Sequence, residues 1–174
     1  MLCSCDNSAT SKKSDSEASA SEEVSKDNLS DEEIVKAELE KMLSDVANQK
    51  NEKFQLFTKD FLVETMGEEW YANEDENVNM IKGLAEHPEA WVDFLKRCNA
   101  ECTEKGFDWS NYSIESVKID DKQDQDFNKD KVTVYRGTFK VKSGDKVYDF
   151  EFKNLTFIKD AARYVDGFGI SPDE

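Results

Sequence analysis

Residues 131–159 of the chain read KVTVYRGTFKVKSGDKVYDFEFKNLTFIK, and they decide the fold because their side chains alternate with a period of two. The first half, residues 131–142, places four side chains on one face: Thr133, Tyr135, Phe139 and Val141. The tripeptide Ser-Gly-Asp at 143–145 is typical of a tight hairpin turn. Residues 147–159 return with large apolar side chains, so we predict two long antiparallel strands joined by that turn.

Two shorter strands are predicted on either side of this hairpin. Residues 112–119 form the first, and it contains a β-bulge because Ile114 and Val117 differ in parity. Residues 163–170 form the last strand, after a turn at 159–162. The C-terminal half of the chain is therefore expected to be an antiparallel meander of about four strands.

Helical periodicity dominates the sequence before the strands. Ser30 and Glu33 have the spacing of a capping box, which starts a helix that we expect to run to about residue 48. Five apolar side chains follow on a single helical stripe: Val35, Leu39, Met42, Leu43 and Val46. This stripe is the face that the first helix should bury.

Three further helices are expected before the sheet. The first covers residues 52–66, is apolar on both sides, and stops at Gly67. A short helix follows at 77–86. Pro88 suits the first position of the last helix, and Gly106 suits its end. Its apolar stripe has five members: Trp91, Phe94, Leu95, Cys98 and Cys102.

This order of elements divides the chain near residue 30. Residues 30–174 are expected to form one α+β domain, with N-terminal helices packed on a curved antiparallel sheet. Residues 1–29 contain eight serines and no aromatic residue, so they cannot bury enough apolar surface to offset their ordering entropy. We predict that they are a disordered tether.

The start of that tether indicates a cellular address. Leu2-Cys3-Ser4-Cys5 resembles a bacterial lipobox, which would make Cys5 the lipidated first residue of the mature protein. A charged n-region and an apolar h-region do not precede it, so either Met1 lies inside the signal peptide or the likeness is accidental. The alternative is a cytosolic chain. No stretch has the ~20 apolar residues of a spanning helix, so any membrane attachment is expected to be through lipid.

The charge of the chain excludes some classes of partner. It has 39 acidic and 23 basic residues, giving a formal charge of −16. Residues 1–29 hold six of the acids and three lysines, which leaves about −13 on the predicted domain. Such a surface repels phosphate backbones and anionic lipid, so we expect neither nucleic-acid binding nor membrane binding through charge.

Candidate catalytic groups are few. His87 is the one histidine, and its place before Pro88 predicts an exposed helix N-cap and no base beside a nucleophile. Cys98 and Cys102 are four residues apart in an apolar stripe, with no further ligands at zinc-site spacing. Buried free thiols are the favoured interpretation, and a disulfide is the alternative.

Two acidic runs have some features of calcium loops. Residues 124–130, DQDFNKD, have oxygen-bearing side chains at several loop positions. Lys129 stands where an EF-hand needs glycine, however, and Tyr135 stands where it needs a bidentate glutamate. Residues 73–79 fail in the same way. We expect both runs to be solvated loops, and we expect no metal and no cofactor.

The strands at 131–170 resemble the C-terminal half of small bacterial envelope lipoproteins with a nuclear-transport-factor-2-like domain. The likeness is carried by KSGDK at 142–146, LTFIKD at 155–160 and YVD at 164–166. Relatives often have Gly-x-Trp before the final strand, where this chain has AARY at 161–164. The resemblance implies that the helices pack into the concave face of the sheet. That family includes ketosteroid isomerases as well as non-catalytic binding domains.

The leading functional hypothesis is a non-catalytic envelope lipoprotein, tethered through Cys5, whose conical interior binds a small apolar ligand or a protein partner. Eight aromatic side chains are candidates to line that interior: Phe54, Phe57, Phe61, Trp91, Tyr135, Phe139, Phe150 and Phe152. The sequence leaves the oligomeric state open.

Two alternatives from other classes remain open. One is an isomerase or hydratase-like enzyme with a carboxylate of raised pKa in an aromatic pocket, for which strand parity suggests Asp149 or Glu151. The other is a cytosolic immunity or regulatory protein that uses its acidic surface to occupy a basic partner.

Overall fold

The computed structural model of the chain describes residues 29–127, 130–159 and 161–171. Five helices come first: α1 (Asp31–Asn48), α2 (Lys59–Met66), α3 (Glu68–Tyr71), α4 (Glu76–Glu86) and α5 (Pro88–Glu104). Four strands follow: β1 (Tyr112–Phe127), β2 (Asp130–Ser143), β3 (Lys146–Ile158) and β4 (Ala161–Ile170). The α+β class predicted from the sequence is confirmed.

The strands form one antiparallel sheet in the order β1-β2-β3-β4. The predicted hairpin is present, with Ser143 paired to Lys146 across a turn where Gly144 has a φ of 58°. A bulge between Ile114 and Ser116 confirms the irregularity expected in β1. Further register shifts occur in every strand pair, and such bulges bend the strands and curve the sheet.

Helix α1 begins at the predicted capping box. The backbone N–H of Ser30 donates to Oε2 of Glu33 at 2.8 Å, and the N–H of Glu33 donates to Oγ of Ser30 at 3.3 Å. Asp31 then fixes the start of the helix to the sheet, because its carboxylate accepts from Lys122 at 2.8 Å and from Tyr135 at 2.9 Å. The Lys122 bond lowers the pKa of Asp31.

The main core lies between the sheet and two helices, α1 and α5. The five stripe residues of α1 are completely buried, and they share a cluster with Leu95, Cys98 and Cys102 of α5. The sheet contributes ring-to-ring contacts, with Phe139 and Phe150 at 5.0 Å and Phe139 and Phe168 at 5.8 Å between centroids. Burying each such side chain contributes roughly 1.5–3 kcal/mol.

A second, smaller core is formed by strand residues whose side chains point to the other face of the sheet. Val132 and Ile158 are paired across β2 and β3 and are buried with Phe57 and Leu62. Their neighbours Thr133 and Phe157 are also paired, and Phe157 belongs to the main core. At this end of the sheet, the segment from α2 to α4 therefore covers the face opposite to the one that α1 and α5 cover. The sequence, in contrast, predicts helices on one face only.

The predicted helix at 52–66 is too long, because only Lys59–Met66 is helical. The segment before it has an irregular path that is fixed by the completely buried Asp45. This carboxylate accepts the backbone N–H groups of Glu52 at 3.1 Å, Lys53 at 2.9 Å and Phe54 at 2.8 Å. These three N–H groups therefore have an acceptor without forming a helix. Helix α2 begins only after Thr58, whose hydroxyl oxygen accepts the backbone N–H of Phe61.

The predicted strand at 112–119 is too short, because β1 continues to Phe127. Its second half is highly charged and has no apolar alternation, yet it pairs with β2 throughout. Asp124 therefore lies in a strand, where its Oδ1 accepts from the Thr133 hydroxyl at 2.8 Å. The expectation of a solvated loop at 124–130 is wrong for residues 124–127 and 130, and residues 128–129 lie outside the described residues.

The remaining bounds differ from the sequence predictions by small amounts. Helix α4 and the placement of Pro88 at the start of α5 are confirmed. The short helix α3 was not predicted, and β4 begins two residues earlier than expected. No helix in the described ranges is long and apolar enough to cross a membrane.

Candidate functional site

An apolar groove of about 220 Å³ lies where the irregular segment at 50–58 meets α4, the start of α5 and β4. We call it the β4 groove. Seven of its side chains are apolar: Leu56, Phe57, Leu84, Ala90, Trp91, Phe94 and Val165. Four polar side chains complete its wall: His87, Arg163, Tyr164 and Asp166.

Trp91 forms the inner wall of the groove and is 9% exposed. Pro88 begins α5 one turn earlier and so sets the direction of the helix that carries Trp91. The indole stacks on Phe54, with centroids 5.6 Å apart and planes at 18°, and it contacts Phe94 at 5.0 Å. Phe54 is held by Asp45, so that buried carboxylate supports the groove from behind.

Arg163 brings a positive charge into this apolar wall from the start of β4. Its guanidinium carbon lies 3.6 Å from the centroid of the Phe61 ring. Its Nη1 donates to the carbonyl oxygen of Leu56 at 3.4 Å. Burial lowers the pKa of Arg163, while the negative charges of Glu38 and Glu64 oppose that shift. An arginine remains charged under these conditions.

The other polar groups lie toward the rim of the β4 groove. His87 occupies the predicted N-cap position and is exposed, but its ring does not cap the helix. Nδ1 of His87 lies 3.0 Å from Oε1 of Glu89 instead. Burial raises the pKa of Tyr164, so its hydroxyl stays protonated. Asp166 accepts the backbone N–H of Gly167 at 2.7 Å.

The structure distributes the eight predicted pocket residues among the β4 groove, a second apolar space and the main core. Phe57 and Trp91 line the β4 groove. Phe57 and Phe61 line a second apolar space of about 160 Å³ between α2 and the sheet. The Arg163 guanidinium stacks on the Phe61 ring. Phe54 lies directly behind Trp91.

The other four lie in the main core, which α1 fills: Tyr135, Phe139, Phe150 and Phe152, each 4% exposed or less. The centre of the sheet therefore serves as a packed interior, and the groove lies beside it.

Sequence reasoning missed several groove residues. Leu56 lies in the predicted helix at 52–66, which in the structure begins only at Lys59, and Leu84 lies in the helix predicted at 77–86, for which the sequence indicates no site. Arg163 was treated as the first residue of a strand. The available signal was the position of Arg163 in the sequence. It follows Ala161 and Ala162 and precedes the apolar residues of β4, which indicates a charge that enters the interior.

The carboxylates suggested for an enzyme lie on the solvent side of β3. Asp149 is 61% exposed and its Oδ1 lies 3.5 Å from Nζ of Lys140, while Glu151 is 37% exposed and lies 3.3 Å from Lys153. Their neighbour Phe150 points into the core. Neither carboxylate lines the β4 groove.

The thiols of α5 are free and buried, as the favoured interpretation expected. Burial raises the pKa values of Cys98 and Cys102 to about 12. Sγ of Cys98 lies 3.8 Å from the carbonyl oxygen of Phe168, which connects α5 to the end of β4. These thiols therefore pack as apolar groups.

The sequence also raised the possibility of metal binding at two acidic runs and of lipid attachment at Cys5. In the described ranges, no group of three or more His, Cys, Asp or Glu side chains could hold a metal ion. Residues 73–75 form the expected loop, in which Oδ1 of Asn73 accepts the backbone N–H of Asp75 at 3.0 Å, whereas the expectation of a loop is wrong for residues 76–79, which begin α4. Cys5, the lipidation candidate, lies outside the described residues.

A comparison of the chain with protein-family models, curated proteins and solved structures finds no match.

Proposed function

We propose that this chain is a non-catalytic binding domain of the bacterial cell envelope, tethered by lipid at Cys5, whose β4 groove holds a small apolar ligand. The observation that carries the proposal is the groove itself, a preformed concavity with aromatic and aliphatic walls. Its shape is supported from behind by the Phe54–Trp91 stack and by Asp45. A rigid, apolar, concave surface of this kind favours ligand binding over chemistry.

The volume of the groove limits the size of the ligand. A cavity of roughly 150 Å³ lined by apolar side chains can hold benzene. At about 220 Å³, the groove would hold a substituted single ring or a short alkyl chain. Burying roughly 200 Å² of ligand surface would contribute about 5 kcal/mol, which sets about 0.2 mM as the tightest dissociation constant, before the cost of immobilising the ligand is subtracted.

The envelope address rests on sequence alone. Leu2-Cys3-Ser4-Cys5 has the lipobox pattern, and the serine-rich stretch after it is typical of the spacer between lipid and domain. A tether of this composition would keep the groove away from the bilayer surface.

Titration of the full-length protein with toluene, followed by amide and indole NMR resonances, tests ligand binding. We expect saturable shifts at Trp91 and Val165. Gly83→Leu should abolish these shifts, because the leucine side chain would fill the space that the ligand needs. Gly83 lines the groove, and a β-carbon there meets open space. Gly83→Ala is the matched control and should bind nearly normally. Unchanged resonances in the unsubstituted protein at about 5 mM toluene, which corresponds to a binding free energy of only about 3 kcal/mol, would rule out this function.

The intact mass of the protein isolated from its own cells tests the address. A diacylglycerol adduct on Cys5, with residues 1–4 removed, is the expected result. An unmodified chain that begins at Met1 would contradict envelope tethering and would leave the groove as a site facing the cytosol.

A further inference from the structure

We propose that the ligand of the β4 groove is an amphipathic carboxylate, a short alkyl or single-ring acid, whose charged head binds Arg163 while its apolar body lies against Trp91. This inference rests on the proposed function and specifies the ligand class for the same site. It is argued from charge complementarity and from polar groups that lack a partner.

The first support is the charge of the groove wall. Among the described residues that line it, Arg163 alone carries a permanent positive charge. Asp166 is exposed and already accepts a hydrogen bond from Gly167, and His87 is exposed beside Glu89. The half-buried cation therefore stands among apolar side chains, where an anionic group would gain the most from it.

The second support is that Arg163 has no carboxylate partner. Within the described ranges, no carboxylate lies within the 4.0 Å of an ion pair with its guanidinium. The two acids that influence it electrostatically have cations of their own. Glu38 pairs with Lys41, and Glu64 lies 3.5 Å from Lys159. Glu38 still has a buried Oε2 without a hydrogen bond to any described residue, and its charge acts on Arg163 from beyond contact distance. The half-buried guanidinium therefore has no anion in direct contact among the described residues, and an added carboxylate could supply one.

The third support comes from two donors with no acceptor. Nε of Arg163 and Nε1 of Trp91 are buried and make no hydrogen bond within the described part of the chain. Both nitrogens can only donate, so a group that satisfies them must bring acceptor oxygens. Both are covered by neighbouring atoms in this structure. Contact with them therefore requires a rotamer change of Arg163 or Trp91 as the carboxylate binds.

The guanidinium has two contacts in the groove wall before any ligand arrives. It stacks on Phe61 and donates to the Leu56 carbonyl, so a rotamer change of Arg163 has to break or shift these contacts. A planar cation favours a carboxylate over a neutral acceptor, because charged hydrogen bonds are about twice as strong as neutral ones. The net charge of −16 opposes anions at long range, but salt at about 0.15 M screens charges beyond roughly 8 Å.

The test compares two acids with their alcohols on the full-length protein in about 0.15 M salt: hexanoate with 1-hexanol, and 4-methylbenzoate with 4-methylbenzyl alcohol. We expect each acid to bind at least about tenfold more tightly than its alcohol. Arg163→Met should remove that preference while alcohol binding remains, because methionine keeps the apolar stem. Arg163→Lys should retain part of the preference.

The outcomes separate this inference from the proposed function. Alcohol binding without a preference for the acid would overturn the carboxylate assignment and leave the groove as an apolar site. An acid preference that survives in Arg163→Met would overturn the role of Arg163. If neither class binds at all, the proposed function fails as well. Should Arg163→Met fail to fold, the acid-to-alcohol ratio of the unsubstituted protein decides the question alone.

Discussion

At the scale of single residues, the buried carboxylate of Asp45 organises the approach to the groove. It lies near the end of α1 and holds three successive backbone N–H groups of the following segment. The Phe54 donor is buried, where an unpaired N–H is costly. By fixing Phe54, the carboxylate also fixes the ring on which Trp91 stacks.

We predict that Asp45→Ala lowers the free energy of unfolding by about 3 kcal/mol, because it leaves several donors unpaired and opens a small cavity. Chemical denaturation followed by far-ultraviolet circular dichroism measures this change. Asp93→Ala is the matched control, since that carboxylate is 71% exposed and should change stability by less than about 0.5 kcal/mol. Equal effects in the two variants would contradict the role given to Asp45.

We also predict that the two thiols of α5 resist alkylation in the folded protein. Their pKa values of about 12, against an ordinary value of 9.0, lower the thiolate fraction at pH 8 by about 10³-fold. In a Cys3→Ser/Cys5→Ser background, iodoacetamide at pH 8 should therefore modify Cys98 and Cys102 far more slowly in the folded protein than in guanidinium chloride. Mass spectrometry over time measures both rates. Rapid labelling of the folded protein would show that these thiols are accessible and ionised.

At the scale of elements, local signals predicted the structure well wherever they were strong. The hairpin followed from the alternation in residues 131–159 and from its glycine turn, and α1 followed from Ser30 and Glu33. Where tertiary contacts decide, the sequence was not enough. The carboxylate of Asp45 prevents a helix at 52–58, and the charged half of β1 is a strand because β2 pairs with it.

The candidate site was harder to predict than the elements. Aromatic residues on the apolar faces of predicted helices and strands included Phe57 and Trp91, but they also included core residues such as Phe139 and Phe150. Which aromatic side chains are covered depends on how α1 crosses the sheet, and periodicity does not contain that information. Arg163 contributes through a contact with Phe61, about a hundred positions earlier in the chain.

Gly137 in β2 has the Lys118 backbone of β1 directly against it, which leaves no room for a β-carbon. A β-carbon built there would lie against the Lys118 carbonyl oxygen and 3.0 Å from the Phe152 ring. We expect Gly137→Ala to lower the free energy of unfolding by about 3 kcal/mol or more, since a backbone atom in the sheet has to move.

Gly169→Ala in β4 is the control, because a β-carbon there meets nothing within 4 Å and its φ is not positive. It should be neutral or slightly stabilising. Thermal unfolding of the two variants under one buffer condition makes the comparison. A harmless Gly137→Ala would mean that the two strands are farther apart than described.

At the scale of the whole molecule, the net charge of −16 sets a prediction for ionic strength. Raising sodium chloride from about 0.01 M to about 0.1 M shortens the screening length from roughly 30 Å to 10 Å. Long-range repulsion between carboxylates then weakens, while ion pairs at about 3 Å persist. We expect stability to rise by about 1 kcal/mol and the unfolding midpoint by about 3 °C.

Four exposed acids can be neutralised as a control for that effect: Glu40→Gln, Glu101→Gln, Glu104→Gln and Glu115→Gln. A chain with these changes should gain less from salt, as measured by differential scanning calorimetry. A fall in the midpoint of the unsubstituted protein with added salt would show that attractive pairs outweigh the repulsion.

The order of the elements along the chain also determines when the protein can fold during synthesis. Helix α1 leaves the ribosome first, but the core that buries Val35 and Leu39 also contains Phe150 and Phe168 from the last two strands. Contacts between segments so distant in sequence form slowly and only after both have been made. The domain therefore cannot close its main core until β3 and β4 have left the ribosome.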